Sequence, residues 1–101
     1  MPDAANLSHV MRALADPTRR AVYERIAGGG EITVAGLTHG SGVSQSAVSQ
    51  HLKALKLAGL VTHRPEGRNV YYRARPAGLA PLMDWMADAA HVGMMVPKQP
   101  R

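Results

Sequence analysis

Apolar residues recur at helical spacing in four stretches of this chain and switch to alternation in one, and the change of period sets the expected architecture. Leu7, Val10, Met11 and Leu14 outline a short first helix. Asp16-Pro17 restarts the chain, because Asp is a strong N-cap and Pro fits the first helical position. Ala21, Val22, Tyr23, Ile26 and Ala27 then supply the buried side of a second helix, which Gly28-Gly29-Gly30 ends. Farther along, Val48, Leu52 and Leu55, extended by Leu57, form a stripe between Ser44, a good N-cap, and Gly59, which can close a helix in the left-handed conformation. A last helix is expected over 79–91, with Leu79, Leu82, Met83, Met86 and Ala90 on one side and Trp85 widening it.

Shorter signals fill the gaps. Glu31-Ile32-Thr33 is too short for an independent sheet and reads as an edge strand for a later hairpin. Thr33 is also placed to cap a short helix from Val34 to about His39, and His39-Gly40-Ser41-Gly42 is glycine-rich, as a turn between two helices of a helix-turn-helix requires. After Gly59 the alternating runs 60–64 and 69–73 read as two strands joined across Pro65-Glu66-Gly67-Arg68. Tyr71 and Tyr72 then point to opposite faces, one toward the core and one toward a surface. The sum is a mainly α fold with a small β-hairpin, in the order α-α-(short β)-α-α-β-β-α. That is a winged helix-turn-helix, with a flexible leader over 1–6, a DNA-binding and dimerisation domain over 7–93 and a flexible tail over 94–101.

Charge narrows the function. Residues 44–75 hold Lys53, Lys56, Arg64, Arg68, Arg73 and Arg75 against Glu66 alone, while acids and bases balance elsewhere, so the formal net charge of +5 sits on one helix and the segment after it. A surface facing a polyanion is the economical explanation. With 101 residues the chain forms one domain, small enough for dimerisation to add to its stability. The absence of Cys excludes disulfides, thiolate metal sites and thiol redox switches. No apolar run is long enough to span a bilayer and no signal-peptide pattern opens the chain, so a cytoplasmic location is expected.

The helix over 44–58 carries the chemistry. Its outer face presents Ser44, Gln45, Ser46, Ser49, Gln50 and Lys53 without a carboxylate, and short hydrogen-bonding side chains of this kind suit base edges and phosphates. The competing reading is an ordinary amphipathic helix in a small bundle. Arg64 and Arg68, near the hairpin tip, are expected to turn outward as wing residues that follow the DNA backbone or minor groove. Arg19 and Arg20, in the first turn of a helix, are read as surface or structural residues before phosphate contacts. Ser44, Ser46, Ser49 and His51 lie close together, yet no acid is placed to orient the histidine, so no enzyme is expected.

Leu14-Ala15-Asp16-Pro17-Thr18-Arg19-Arg20, the run 43–55, Ala58-Gly59-Leu60-Val61 and Gly67-Arg68-Asn69-Val70-Tyr71-Tyr72 together resemble the ArsR family of bacterial transcriptional regulators. The resemblance covers roughly residues 7–90. It implies a homodimeric repressor of double-stranded DNA with an inverted-repeat operator. The implied dimer interface lies on the first and last helices, here Leu7, Val10 and Met11 with Leu79, Leu82, Met83, Trp85 and Met86. By motif position Gln45, Ser46, Ser49 and Gln50 face bases or phosphates, with His51 and Lys53 at the periphery and Arg68 on the wing.

Departures from the family pattern bear on the signal. Many metal-sensing relatives carry Cys-Val-Cys where this chain has Thr33-Val34-Ala35, and neither Thr nor Ala replaces a thiolate ligand. Other relatives bind metal between their terminal helices through Asp-x-His and His-x-x-Glu. Here Asp84, Asp88 and His91 share one helical face in a different order, which a metal across a dimer and a solvated polar stripe explain equally well. No cofactor or inducer is legible. The remaining alternative is a winged helix that binds protein instead of DNA, which would not require the charge confined to helix and hairpin.

Overall fold

The computed structural model describes residues 4–95. Helix α1 (Ala4–Ala15) is followed by α2 (Pro17–Gly29), strand β1 (Ile32–Thr33), α3 (Val34–Thr38) and α4 (Gln45–Leu57). Strands β2 (Val61–Glu66) and β3 (Asn69–Ala74) come next, and a 3₁₀ turn, Pro76–Leu79, leads into α5 (Ala80–Met95). Three of the helix starts are set by the caps expected from local chemistry. The Asp16 carboxylate accepts from the Arg19 amide at 2.7 Å, the Thr33 hydroxyl from the Gly36 amide at 3.1 Å and the Ser44 hydroxyl from the Ala47 amide at 3.1 Å.

One core joins these elements. Val10 and Ala13 of α1, Val22, Tyr23 and Ile26 of α2, Leu37 of α3 and Val48, Leu52 and Leu55 of α4 are buried together with Ala58, Leu60 and Val61. Burying each larger aliphatic side chain contributes about 1.5–3 kcal/mol relative to leaving it exposed. Burial also raises the Tyr23 pKa, since the phenolate would lose its hydration. The Arg25 guanidinium donates to the Leu37 and His39 carbonyls at 3.0 and 3.3 Å, which ties α2 to the end of α3 and so fixes where the turn into α4 begins.

The sheet has the order β1-β3-β2 and is antiparallel throughout. Ile32 pairs with Tyr72 and Thr33 with Tyr71, so the short strand after α2 caps the edge of the hairpin. The hairpin is longer and tighter than its sequence suggested, because pairing continues through Pro65 opposite Val70 and Glu66 opposite Asn69, leaving only Gly67-Arg68 as the turn. Proline is tolerated there because β2 is an edge strand, with one side free of ladder bonds. Tyr72 packs on the core while Tyr71 lies on the outer face.

Two glycines make the junction of α4, hairpin and α5. Gly59 has φ +77°, its amide donates to the Lys56 carbonyl at 3.0 Å, and the Leu60 amide donates to the Leu55 carbonyl at 3.0 Å. This is a Schellman closure, which turns the chain sharply from the helix into β2. Gly78 lies against it. A Cβ at position 78 would stand 2.1 Å from the Gly59 carbonyl oxygen, so the approach of the two backbones admits no side chain.

Several expectations are corrected at the ends of the chain. The helical backbone of α1 begins at Ala4, so residues 4–6 of the expected leader extend the helix, as the high helix propensity of two alanines favours. At the other end α5 continues to Met95, past the expected domain boundary, and the rest of the expected tail lies outside the described residues. Val10, expected at a dimer interface, is fully buried in the core of its own chain, because α1 turns it toward α2 and α4.

Candidate nucleic-acid interface

The interface candidate is built on α4. Val48, Leu52 and Leu55 are buried at 0–1% exposure, which fixes the rotation of the helix on the core and leaves the opposite side outward. Gln45, Ser46, Ser49, Gln50 and Lys53 are all exposed there. Ser44 is exposed as well, but one lone pair of its oxygen already accepts from the Ala47 amide, which leaves its O–H and a second lone pair to face outward. At about 100° per residue the five side chains from Gln45 to Lys53 occupy one continuous arc of about 140°, separate from the buried stripe.

His51, expected at the periphery of the DNA face, falls outside that arc. Six residues beyond Gln45, it comes around to the flank near α2, where it is half-buried and its Nδ1 accepts from the Arg19 Nε at 3.4 Å. Arg19, read from sequence as a surface or structural residue, thus braces α4.

The wing divides its two expected arginines. Arg68 is exposed in the two-residue turn at the tip. Arg64 is instead turned back across the sheet, with its Nε and Nη2 2.6 and 3.0 Å from the two Glu31 carboxylate oxygens, and its Nη1 3.2 Å from Glu66. Its guanidinium carbon also stands 5.0 Å from the centre of the Tyr71 ring. In the free chain, then, two carboxylates and an aromatic face hold the side chain that was expected to reach DNA. Hydrogen bonding and charge from Arg64 lower the Glu31 pKa, and Glu31 in turn raises that of Arg64. No feature of the sequence marks this pair, since Glu31 and Arg64 are 33 residues apart.

Other cations of residues 44–75 are also committed. Arg75 donates through Nη1 to the Gly59 carbonyl at 3.2 Å, and Lys56 Nζ lies 3.4 Å from His63 Nε2, joining the end of α4 to the root of the wing. The His63 ring packs against Tyr72, with centroids 5.6 Å apart. Lys53, within the polar arc, and Arg68 and Arg73 on the wing remain as exposed charges. Sequence reading missed Lys56 and His63 as a pair, because only the tertiary fold brings β2 beside the last turn of α4.

The expected dimer surface is partly open. Met83, Trp85 and Met86 are 63%, 49% and 54% exposed, whereas Leu79 and Leu82 pack against the core and Leu7 and Met11 are half-buried. Asp84, Asp88 and His91 are exposed on α5, and among the described residues no three His, Cys, Asp or Glu side chains gather into a metal-binding group. Among these residues no helix is long and apolar enough to cross a membrane.

Comparison with known proteins gives this geometry a family. A helix-turn-helix domain family matches residues 14–64, from the end of α1 into β2. The HTH-type transcriptional regulator Rv2034 of Mycobacterium tuberculosis is 52% identical over 71 residues, covering 70% of this chain and 65% of that protein. The arsenic resistance transcriptional regulator ArsR1 of Pseudomonas putida is 43% identical over 67 residues, covering 66% of this chain and 52% of that protein. The chain thus spans between half and two thirds of the length of these two relatives. Among solved structures, the homodimeric winged helix-turn-helix DNA-binding domain Mb0332 of Mycobacterium bovis, a possible ArsR-family transcriptional regulator, matches with a TM-score of 0.67 at 26% identity, covering 94% of this chain and 89% of that one.

Proposed function

Because this chain belongs to the ArsR family of winged helix-turn-helix transcriptional regulators, we propose that it is a homodimeric, cytoplasmic repressor that occupies an inverted-repeat operator in double-stranded DNA. In this reading α4 enters the major groove, and Gln45, Ser46, Ser49 and Gln50 contact base edges or phosphates. Lys53 and the wing-tip Arg68 add phosphate contacts, and two copies join through α1 and α5.

One observation carries the reading. A capped helix, locked by a fully buried stripe, holds out an arc of glutamine, serine and lysine side chains with no carboxylate among them. A solvated surface helix has no need to exclude acids, whereas one that approaches phosphates does. Repression follows from geometry: a dimer placing two such helices about 34 Å apart, one turn of the duplex, covers a stretch of operator that polymerase would otherwise use. The deciding experiment is recovery of bound fragments from random double-stranded DNA. A palindromic consensus with half-site centres one helical turn apart is expected, and recovery without any consensus would overturn the reading.

A further inference from the structure

Between α1, the first turn of α2 and the C-terminal half of α4 lies a groove of about 380 Å³ that the DNA-binding reading does not use. His9 and Arg12 of α1 and Arg19 of α2 form its rim, and Ala13, Ala54, Ala58 and Leu57 form its floor and far wall. Three basic side chains meet there, and no acid lines the groove among the described residues. Leu57, at 77% exposure, is the most exposed large apolar side chain among the described residues, and three alanines create the depression beside it.

We propose that this groove binds a small amphipathic anion, a carboxylate on an aliphatic or aromatic body, and that its occupancy is read by the recognition helix. The chemistry is complementary at both ends. A concave, mainly apolar site with a few convergent polar groups is the usual form of a small-molecule pocket, and guanidinium groups select a carboxylate over a neutral head group through charge-assisted hydrogen bonds. The link to α4 is direct. Arg19, on the rim, holds His51 of α4 through its Nε at 3.4 Å, so an anion that draws the guanidinium into the groove withdraws that brace from the helix. Ala54 and Ala58 are on the same helix and its C-terminal cap, so a ligand seated on them touches the reading element itself.

The groove remains open in the proposed dimer. At about 100° per residue, His9 and Arg12 lie on the far side of α1 from Leu7 and Met11, so a partner seated on the latter pair leaves the former uncovered. Among the described residues none of α5 lines the groove.

The effect on DNA rests on the proposed function; binding to the groove does not, and the two are tested separately. For the first, the free 101-residue chain is titrated with octanoate, and with octanol as the neutral counterpart, while backbone amide resonances are followed by NMR. Octanoate is expected to shift Ala13, Arg19, Ala54 and Ala58 and to bind about tenfold more tightly than octanol, with Arg12→Ala removing most of that preference. Equal affinity for the two probes, shifts confined to Met83, Trp85 and Met86, or an unchanged preference in Arg12→Ala would overturn the site. For the second, octanoate is added to protein bound to its selected DNA. It is expected to weaken binding by wild type and not by Arg12→Ala, whose fold is checked by circular dichroism. Octanoate bound in the groove with unchanged DNA affinity would overturn the coupling. Loss of DNA affinity in Arg12→Ala without any ligand would assign the rim to phosphate contact instead.

Discussion

Helices α4 and α5 both present an uncovered face, and the two faces are opposites. In α4 the inward side is complete: Val48, Leu52 and Leu55 are sealed in the core, and what remains outside is glutamine, serine and lysine. In α5 no described side chain reaches full burial, and the outward surface carries Met83, Trp85 and Met86. A polar face on a sealed helix costs nothing to leave in water and is available to a polar ligand. An apolar face on a half-seated helix is stabilised only when another apolar surface covers it. In the proposed function the polar face of α4 takes DNA and the apolar face of α5 takes a second copy of the chain.

The largest way to break the comparison is to unseal α4. Leu52→Ala should cost about 2–5 kcal/mol of folding stability, measured by urea unfolding, since it opens a cavity beneath the helix. A loss under about 1 kcal/mol would mean that α4 is not the sealed element described. The complementary change on α5 is Met83→Glu with Trp85→Arg. It should leave the helical content intact while raising the dimer dissociation constant by roughly 100-fold or more, because each charge is buried twice in a symmetric interface. Sedimentation showing an unchanged dimer would move the interface elsewhere.

Sharper tests stay within α4 and the wing. Gln50→Ala or Ser46→Ala should cost on the order of 1–3 kcal/mol on the selected operator and little on scrambled DNA. Arg68→Ala should weaken both and flatten the dependence of log affinity on log salt by roughly two units in a dimer, one for each lost phosphate contact. Arg64→Ala should change that slope much less, since Glu31 and Glu66 already neutralise its charge. Equal slopes for the two arginine variants, found by salt titration, would show that Arg64 leaves its partners on DNA.

The smallest expected effect concerns Glu31. Its folded pKa lies below the ordinary 4.5, so its pairing with Arg64 stabilises the native state fully above the unfolded value and is lost as pH falls through the folded one. The pair is exposed to solvent, so the contribution is small. Wild type and Glu31→Gln should differ slightly in unfolding midpoint near neutral pH and converge as pH falls through the folded pKa of Glu31; a gap that widens on acidification would contradict the assignment.

The sequence by itself determined every element whose cause is local. Asp16, Thr33 and Ser44 cap the helices that follow them, Gly59 closes α4, and the spacing of Val48, Leu52 and Leu55 fixes which side of that helix faces out. The buried stripe and the exposed polar arc were therefore legible together, as was the short strand that joins the hairpin. Only the tertiary structure decided what lies across from each outward side chain. Arg64 and Arg68 are equivalent in the pattern of the hairpin, yet one meets a carboxylate 33 residues away and the other meets solvent. His51 shares a motif with the reading residues but turns to Arg19, and Gly78 is confined to glycine by the carbonyl of Gly59. Periodicity reports the direction in which a side chain points relative to its own element; its partner is fixed by the packing of distant elements, which no local pattern encodes.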